Sequence, residues 1–172
     1  QAVARLEPAL AALTSEEPDA VVAAVTAQLG RFLVLSDEGD RATPVLEQAL
    51  ELAETLGLPE TLAEGLNSKA INLLRADRLY EGRVLLEAAV SLAVENDLHN
   101  AALRALNNLT VVQGSAERVL ESLATIERAL ALARRVGDRG WESNLLGFAV
   151  GVLIELDRWD EGTIAERGEM IA

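Results

Sequence analysis

An eight-residue pattern returns along this chain at a fixed interval of 40 residues. It reads LEQALELA at 46–53, LEAAVSLA at 86–93 and IERALALA at 126–133. A period of this length is typical of proteins built from repeated supersecondary units, each of which packs against the next. The interval therefore limits the chain to an array of similar units.

Two further sets of residues keep the same register. Leu66, Leu106 and Leu146 are each followed four residues later by a smaller or β-branched residue, which is the spacing of one helix face. Polar pairs that mark a turn follow these helices at Asp77-Arg78, Glu117-Arg118 and Asp157-Arg158, and Asp37-Glu38 stands one interval earlier. Each unit is thus expected to contain two helices joined by a turn.

Composition favours helices throughout. Aromatic residues make up only 3% of the chain and there are four prolines, whereas Ala and Leu recur. Pro18 and Pro59 suit a first helical position, and Gly57 and Gly137 suit helix ends. Pro44 either falls in the first turn of its helix or marks the true start of that helix. The sequence predicts an all-α chain with nine helices, at about 2–14, 18–36, 41–57, 60–75, 79–96, 99–113, 116–136, 140–156 and 159–171.

The predicted helix pairs cannot bury their apolar residues alone, because each pair is apolar on more than one side. Small residues recur where helix axes would approach closely: Ala49, Ala89 and Ala129, with Gly82 and Gly162. We therefore expect one repeat domain over residues 1–172. Residues 1–17 would be the second helix of a truncated repeat, 18–57, 58–97 and 98–137 full repeats, and 138–172 the last repeat. The chain itself is expected to be a cytoplasmic fragment of a longer protein.

The residues resemble the tetratricopeptide (TPR) repeat. Leu66, Ala70 and Leu73 stand at its large, small and large positions, and Asp77 stands at the usual Gly of its turn. Leu79 and Trp159 take the aromatic position, Ala42, Gly82, Ser122 and Gly162 the second small position, and Ala49, Ala89 and Ala129 the third. The resemblance implies an α-solenoid of stacked antiparallel helix pairs that forms a right-handed superhelix.

The interval of 40 residues departs from the standard TPR period of about 34. This longer variety resembles the TPR arrays of large bacterial signalling proteins, and residues 56–60 and 135–139 look typical of that group. The resemblance implies a parent protein in bacterial signal transduction or transcription regulation. The ATPase, cyclase and DNA-binding segments that accompany such arrays do not lie within this sequence.

Charge excludes several partners. The formal net charge is −13 and the sequence pI is near 4.5, so direct binding of nucleic acid or of an anionic membrane is not expected. No apolar run reaches the roughly 20 residues of a membrane span. The chain has no Cys, and it carries no phosphate-binding glycine motif or paired-His zinc motif. The single His99 and the paired acids are interpreted as solvated or capping residues, so no catalysis, metal or cofactor is predicted.

The TPR resemblance makes the first helix of each pair the candidate binding element, because these helices line the concave groove of TPR proteins. Arg104 and Asn108 are four residues apart and share a face. Asn67 and Asn107 are related by the 40-residue interval. The candidate groove residues are Arg31, Asn67, Arg104, Asn107, Asn108 and Asn144. Each of these has an alternative reading as an ordinary polar residue on an exposed helix face.

The leading hypothesis is a protein-binding scaffold that holds a peptide segment, a partner protein or another domain of its parent in this groove. The alternative is a structural role, in which the array is a spacer or forms a homo-oligomer through its exposed apolar repeat ends. An enzyme is the least favoured reading.

Overall fold

The computed structural model describes residues 2–13, 19–115 and 118–156. Within those ranges there are eight helices and no strand. The helices are α1 (Val3–Leu13), α2 (Ala20–Leu35), α3 (Gly39–Thr55), α4 (Pro59–Arg75), α5 (Leu79–Glu95), α6 (His99–Ser115), α7 (Val119–Val136) and α8 (Arg139–Glu155). The all-α prediction is confirmed. None of these helices combines the length and apolarity that a membrane span requires.

Some sequence predictions fall outside the described residues. These are the ninth helix at 159–171, the turn pair Asp157-Arg158, Glu117 of the pair Glu117-Arg118, the equivalent positions Trp159 and Gly162, and Pro18. The remaining eight helices of the prediction correspond to α1 through α8.

Helix ends follow the predicted signals. Pro59 is the first residue of α4, and Gly57 and Gly137 follow α3 and α7 with φ of 63° and 74°. Glycine reaches this left-handed region without the steric cost that a side chain imposes. Asp37 and Asp77, in the turns after α2 and α4, have φ of 62° and 61° and take the same role. Aspartate is one of the few other residues that visits this conformation.

Three helix starts differ from the prediction by two or three residues, and the largest difference is at α7, which begins at Val119 rather than at residue 116. α2 begins at Ala20 rather than at residue 18, because the Asp19 carboxylate caps it: Oδ1 accepts hydrogen bonds from the amides of Val21 (2.8 Å) and Val22 (2.9 Å). α3 begins at Gly39, so Pro44 lies in its second turn, and the reading in which Pro44 starts the helix is wrong. The carbonyl that Pro44 leaves without an amide partner belongs to Asp40, which is exposed and can be solvated.

The chain divides into two compact units, residues 1–102 and residues 103–172, and the division falls within α6. In unit 1, α2 packs on α3 and α4, α3 packs on α4, and α4 packs on α5. A core cluster lies between α2 and α3 and is covered partly by residues of α1 and α4. It consists of Leu29, Leu33, Val34, Ala42 and Leu46, with Val3, Leu6, Leu10, Val45 and Ile71 packed against it.

Small residues stand where these helices come closest. A Cβ built on Gly82 of α5 would lie 2.6 Å from Leu74 Cγ of α4, and one built on Gly65 of α4 would lie 2.8 Å from Leu50 Cδ2 of α3. Ala49 and Ala89 are fully buried. The predicted packing reason for Gly82 is therefore confirmed, since real Cβ atoms do not approach carbon this closely.

A polar contact also joins successive pairs in unit 1. Asn72 Nδ2 of α4 donates to Gly39 O (3.1 Å) and to Thr43 Oγ1 (3.0 Å), both in α3. Arg75, at the end of α4, donates to the carbonyl of Val34 in α2. These bonds fix the end of one helix pair against its neighbour.

Unit 2 contains most of α6 together with α7 and α8. Buried polar side chains pair α6 with α7: Ser122 Oγ donates to Thr110 O (3.1 Å), and Thr125 Oγ1 donates to Gln113 Oε1 (2.8 Å). Because buried polar groups are costly without partners, these bonds specify one alignment of the two helices. The unit also buries Leu106, Ile126, Ala129, Leu145 and Leu146.

Candidate binding site

The first helices of the pairs are α2, α4, α6 and α8, and the second helices are α3, α5 and α7. Charges are unevenly divided between them. α2 and α6 carry one formally charged residue each, Arg31 and Arg104, whereas α3 and α5 together carry seven acids and two arginines. The first helices are thus close to neutral in a chain of net charge −13.

In unit 1, a polar chain crosses from one first helix to the next. Gln28 Nε2 of α2 donates to Glu64 Oε2 of α4 at 3.0 Å, and Arg31 Nη1 lies 3.4 Å from Gln28 Oε1. The Arg31 guanidinium also lies 5.8 Å from the centroid of the Phe32 ring, which is within cation–π range. Arg31 is half-buried and oriented by these contacts.

Asn67, the other candidate of unit 1, is buried, with only 6% of its surface exposed. Its equivalent one interval later, Asn107, is half-buried. The two residues occupy equivalent positions in their repeats, but Asn107 is more exposed than Asn67.

In unit 2, the first helices α6 and α8 are joined through the candidate residues. Asn144 Nδ2 of α8 donates to Asn107 Oδ1 of α6 at 3.1 Å. Asn144 is exposed, and Arg104, Asn107 and Asn108 are half-buried. Since Arg104, Asn107 and Asn108 are spaced three and four residues apart, they occupy one side of α6. The structure therefore brings four of the six candidates together within this unit.

Two apolar side chains that the sequence reasoning missed continue this surface. Val111 of α6 is 46% exposed and lies four residues after Asn107, and Phe148 of α8 is 36% exposed and lies four residues after Asn144. Residues four apart on a helix share a side. We call the surface formed by Arg104, Asn107, Asn108, Val111, Asn144 and Phe148 the amide face.

Gln28 and Glu64 were also missed, although the interval contains a signal for them. Glu64 lies 40 residues before Arg104 and 80 before Asn144, and Gln28 lies 80 before Asn108. The Gln28–Glu64 and Asn107–Asn144 bonds span 36 and 37 residues. Each bond thus joins a residue of one first helix to a residue that stands about one helical turn earlier in the register of the next first helix.

The amide face can recognise polar and anionic groups. Side-chain amides offer both a donor and an acceptor, as a peptide backbone does, and a guanidinium binds carboxylates through paired hydrogen bonds. α6 contains no acidic residue to oppose an anion at Arg104.

Groups suited to metal binding are not assembled in the described part of the chain. No cluster of three or more His, Asp or Glu residues there could hold a metal ion. His99 is half-buried at the first position of α6, directly after the turn that contains Asp97.

No protein-family model and no curated protein matches the sequence. Solved structures do match its fold. Aspartyl phosphate phosphatase F from Bacillus subtilis superposes with a TM-score of 0.84 at 14% identity, over 96% of this chain and 43% of that one. BtubC from P. vanneervenii gives a TM-score of 0.79 at 18% identity, over 96% and 70% of the two chains.

A third match names the repeat. The nearly identical TPR-like repeats of a kinesin light chain protein from Podosopora anserina superpose with a TM-score of 0.71 at 17% identity, over 98% of this chain and 84% of that one. Identities this low carry the fold and not the activity. The chain therefore has the all-α, TPR-like solenoid fold of stacked antiparallel helix pairs that the sequence predicted.

Proposed function

We propose that this chain is a non-catalytic protein-interaction module that binds an extended peptide segment on the amide face of unit 2. The segment belongs to a partner protein or to another domain of the parent chain. The observation that carries the proposal is the Asn107–Asn144 hydrogen bond, which joins two successive first helices through side chains that remain partly exposed.

The chemistry of the amide face favours an extended peptide over a folded, highly charged surface. The amides of Asn107, Asn108 and Asn144 match the alternating donors and acceptors of a peptide backbone. Arg104 adds a contact for a carboxylate, and the exposed Val111 and Phe148 add a place for an apolar side chain. The expected ligand therefore combines an acidic and an apolar residue in one extended segment.

The proposal also concerns the parent protein. Residues 1–172 are proposed to form one repeat domain of a larger cytoplasmic protein in bacterial signalling or transcription regulation. The resemblance of residues 56–60 and 135–139 to such arrays supports it.

The test begins with a displayed library of short random peptides, from which binders of the full chain are selected. Their affinities are then measured for a variant that combines Arg104→Ala, Asn107→Ala and Asn108→Ala. We expect a loss of at least about tenfold, which corresponds to about 1.4 kcal/mol of binding free energy, because three polar contacts are removed. The thermal unfolding midpoint should stay close to that of the parent, since all three side chains are partly exposed.

A control variant removes three polar side chains, one amide, one hydroxyl and one guanidinium, from the second helices. The control combines Gln48→Ala, Ser91→Ala and Arg128→Ala. All three residues are exposed, and they lie on α3, α5 and α7. This control should bind the selected peptides as the parent does. Unchanged affinity in the Arg104 variant, or an equal loss in the control, would refute the assignment to the amide face.

A further inference from the structure

A cleft of about 450 Å³ lies in unit 1 between α3 and α5. These are second helices, whereas the amide face lies on first helices. Thr43 and Glu47 form its α3 wall, and Tyr80 and Val84 form its α5 wall. Leu73 of α4 contributes to its floor. The cleft shares no residue with the amide face.

The α5 wall exposes apolar surface that unit 1 does not cover. Tyr80 is 82% exposed and Val84 is 54% exposed, and the two lie four residues apart on one side of the helix. An aromatic side chain buries a large area when it is covered, so a partner that covers Tyr80 gains favourable free energy. The cleft is accordingly suited to receive an apolar side chain.

The charged groups that line the cleft are already paired with each other. Lys69 Nζ lies 2.6 Å from Glu47 Oε1, and Arg78 Nε donates to Glu81 Oε1 at 2.9 Å. The hydrogen bond from Arg78 holds the pKa of the Glu81 carboxyl below its usual value. The net charge of the residues that line the cleft is therefore zero. An uncharged side chain can enter without leaving one of these charged groups unpaired.

The helices beside the cleft are strongly acidic. Glu51 follows Glu47 by one turn on the same side of α3, about 6 Å farther along by the rise of a helix. Glu51 and Glu54 are both exposed, and neither makes an ion pair with another residue of the described ranges. Glu54 lies nearly one turn farther still on the same side, so cations placed one and two turns beyond the cleft would each meet a carboxylate.

We infer that this cleft is a second docking site, and that its occupant is a basic amphipathic helix of another protein. A bulky apolar side chain of that helix enters the cleft against Tyr80 and Val84, and Lys or Arg residues one and two turns away contact Glu51 and Glu54. Helices commonly dock their apolar face into such grooves. The charge of the flanking acids selects a basic helix over a second copy of this acidic chain or an anionic membrane.

The first test compares two synthetic helical peptides that share the same Leu positions and differ in their polar residues. One carries Lys and the other Glu. Titration of the labelled peptides with the full chain, followed by fluorescence anisotropy, should show that the Lys peptide binds at least about tenfold more tightly. Added salt should weaken that binding, because the flanking carboxylates are exposed.

The second test locates the binding. Tyr80→Ser with Val84→Ser should lower the affinity for the Lys peptide by about tenfold or more. Leu120→Ser is the matched control, since Leu120 lies 40 residues after Tyr80, is 68% exposed and belongs to α7 of unit 2. Glu51→Gln with Glu54→Gln should reduce both the affinity and its salt dependence, whereas Glu95→Gln, at the far end of α5, should not.

The outcomes separate this inference from the proposed function. The variant that lacks Arg104, Asn107 and Asn108 should bind the Lys peptide as the parent chain does. Equal binding of the Lys and Glu peptides, absence of binding by both, or an equal response to Leu120→Ser and to the Tyr80 variant would overturn the docking site. None of these results bears on the amide face.

Discussion

The space beside Gly82, near the start of α5, is too small for a larger side chain. A Cβ at this position would lie 2.6 and 2.7 Å from two carbons of Leu74 and 3.1 Å from the carbonyl oxygen of Ala70. We expect Gly82→Ala to lower the free energy of unfolding by about 1–3 kcal/mol, because α4 must shift to admit the methyl group. Chemical denaturation of the full chain measures this change.

Gly147 provides the matched control for that substitution. It lies within α8, and a Cβ built there would meet no atom within 4 Å. Gly147→Ala should therefore raise the free energy of unfolding by about 0.5–1 kcal/mol, through the better helix propensity of alanine. A Gly82→Ala variant as stable as its parent would show that the two helices are not in the contact described here.

At the scale of single residues, the sequence is informative where a residue is unfavourable for the helix that contains it. Glycine in a strong helical sequence indicated close packing at Gly82, and the structure confirms it. The exposure of Asn67 and Asn107 could not be predicted from the sequence. They occupy the same register, yet Asn67 is 6% exposed and Asn107 is half-buried, because exposure depends on the side chains of neighbouring helices.

At the scale of helices, the cap of α2 offers a direct test. Asp19→Ala removes the acceptor for the amides of Val21 and Val22, so it should destabilise the protein by about 1 kcal/mol. Asp19→Asn keeps an oxygen at the same place and should cost much less. Equal unfolding free energies for the alanine and asparagine variants would contradict the capping role.

The helices themselves could be predicted because their apolar period and their Gly and Pro signals agree. All eight described helices begin and end within three residues of the prediction. The differences arise where a side chain caps an end, as Asp19 does, or where a helix tolerates an internal proline, as α3 tolerates Pro44. Both depend on hydrogen bonds that residue order alone does not reveal.

At the scale of the whole molecule, the net charge of −13 conceals an uneven distribution. The acids concentrate on α3 and α5, whereas α6 carries the single charged residue Arg104. The interval of 40 residues predicted that successive units would pack together, and it related Asn107 to Asn67, whereas Asn144 was a candidate through its place on a first helix. It did not reveal their hydrogen bond, the exposed Phe148 or the cleft beside Tyr80, because these arise from contacts between different helices.

The central claim is that successive helix pairs cover one another's apolar faces at the small-residue positions. Nuclear Overhauser contacts in the full chain, with methyl-labelled leucines, measure this directly. We predict a contact between pairs from Leu50 methyls to the Gly65 Hα. Contacts within a pair, from Leu46 methyls to the Gly30 Hα and from Leu74 methyls to the Gly82 Hα, serve as the internal reference. If Leu50 instead contacts only residues of its own helix pair, the stacking of the pairs, and the binding surfaces inferred from it, would be contradicted.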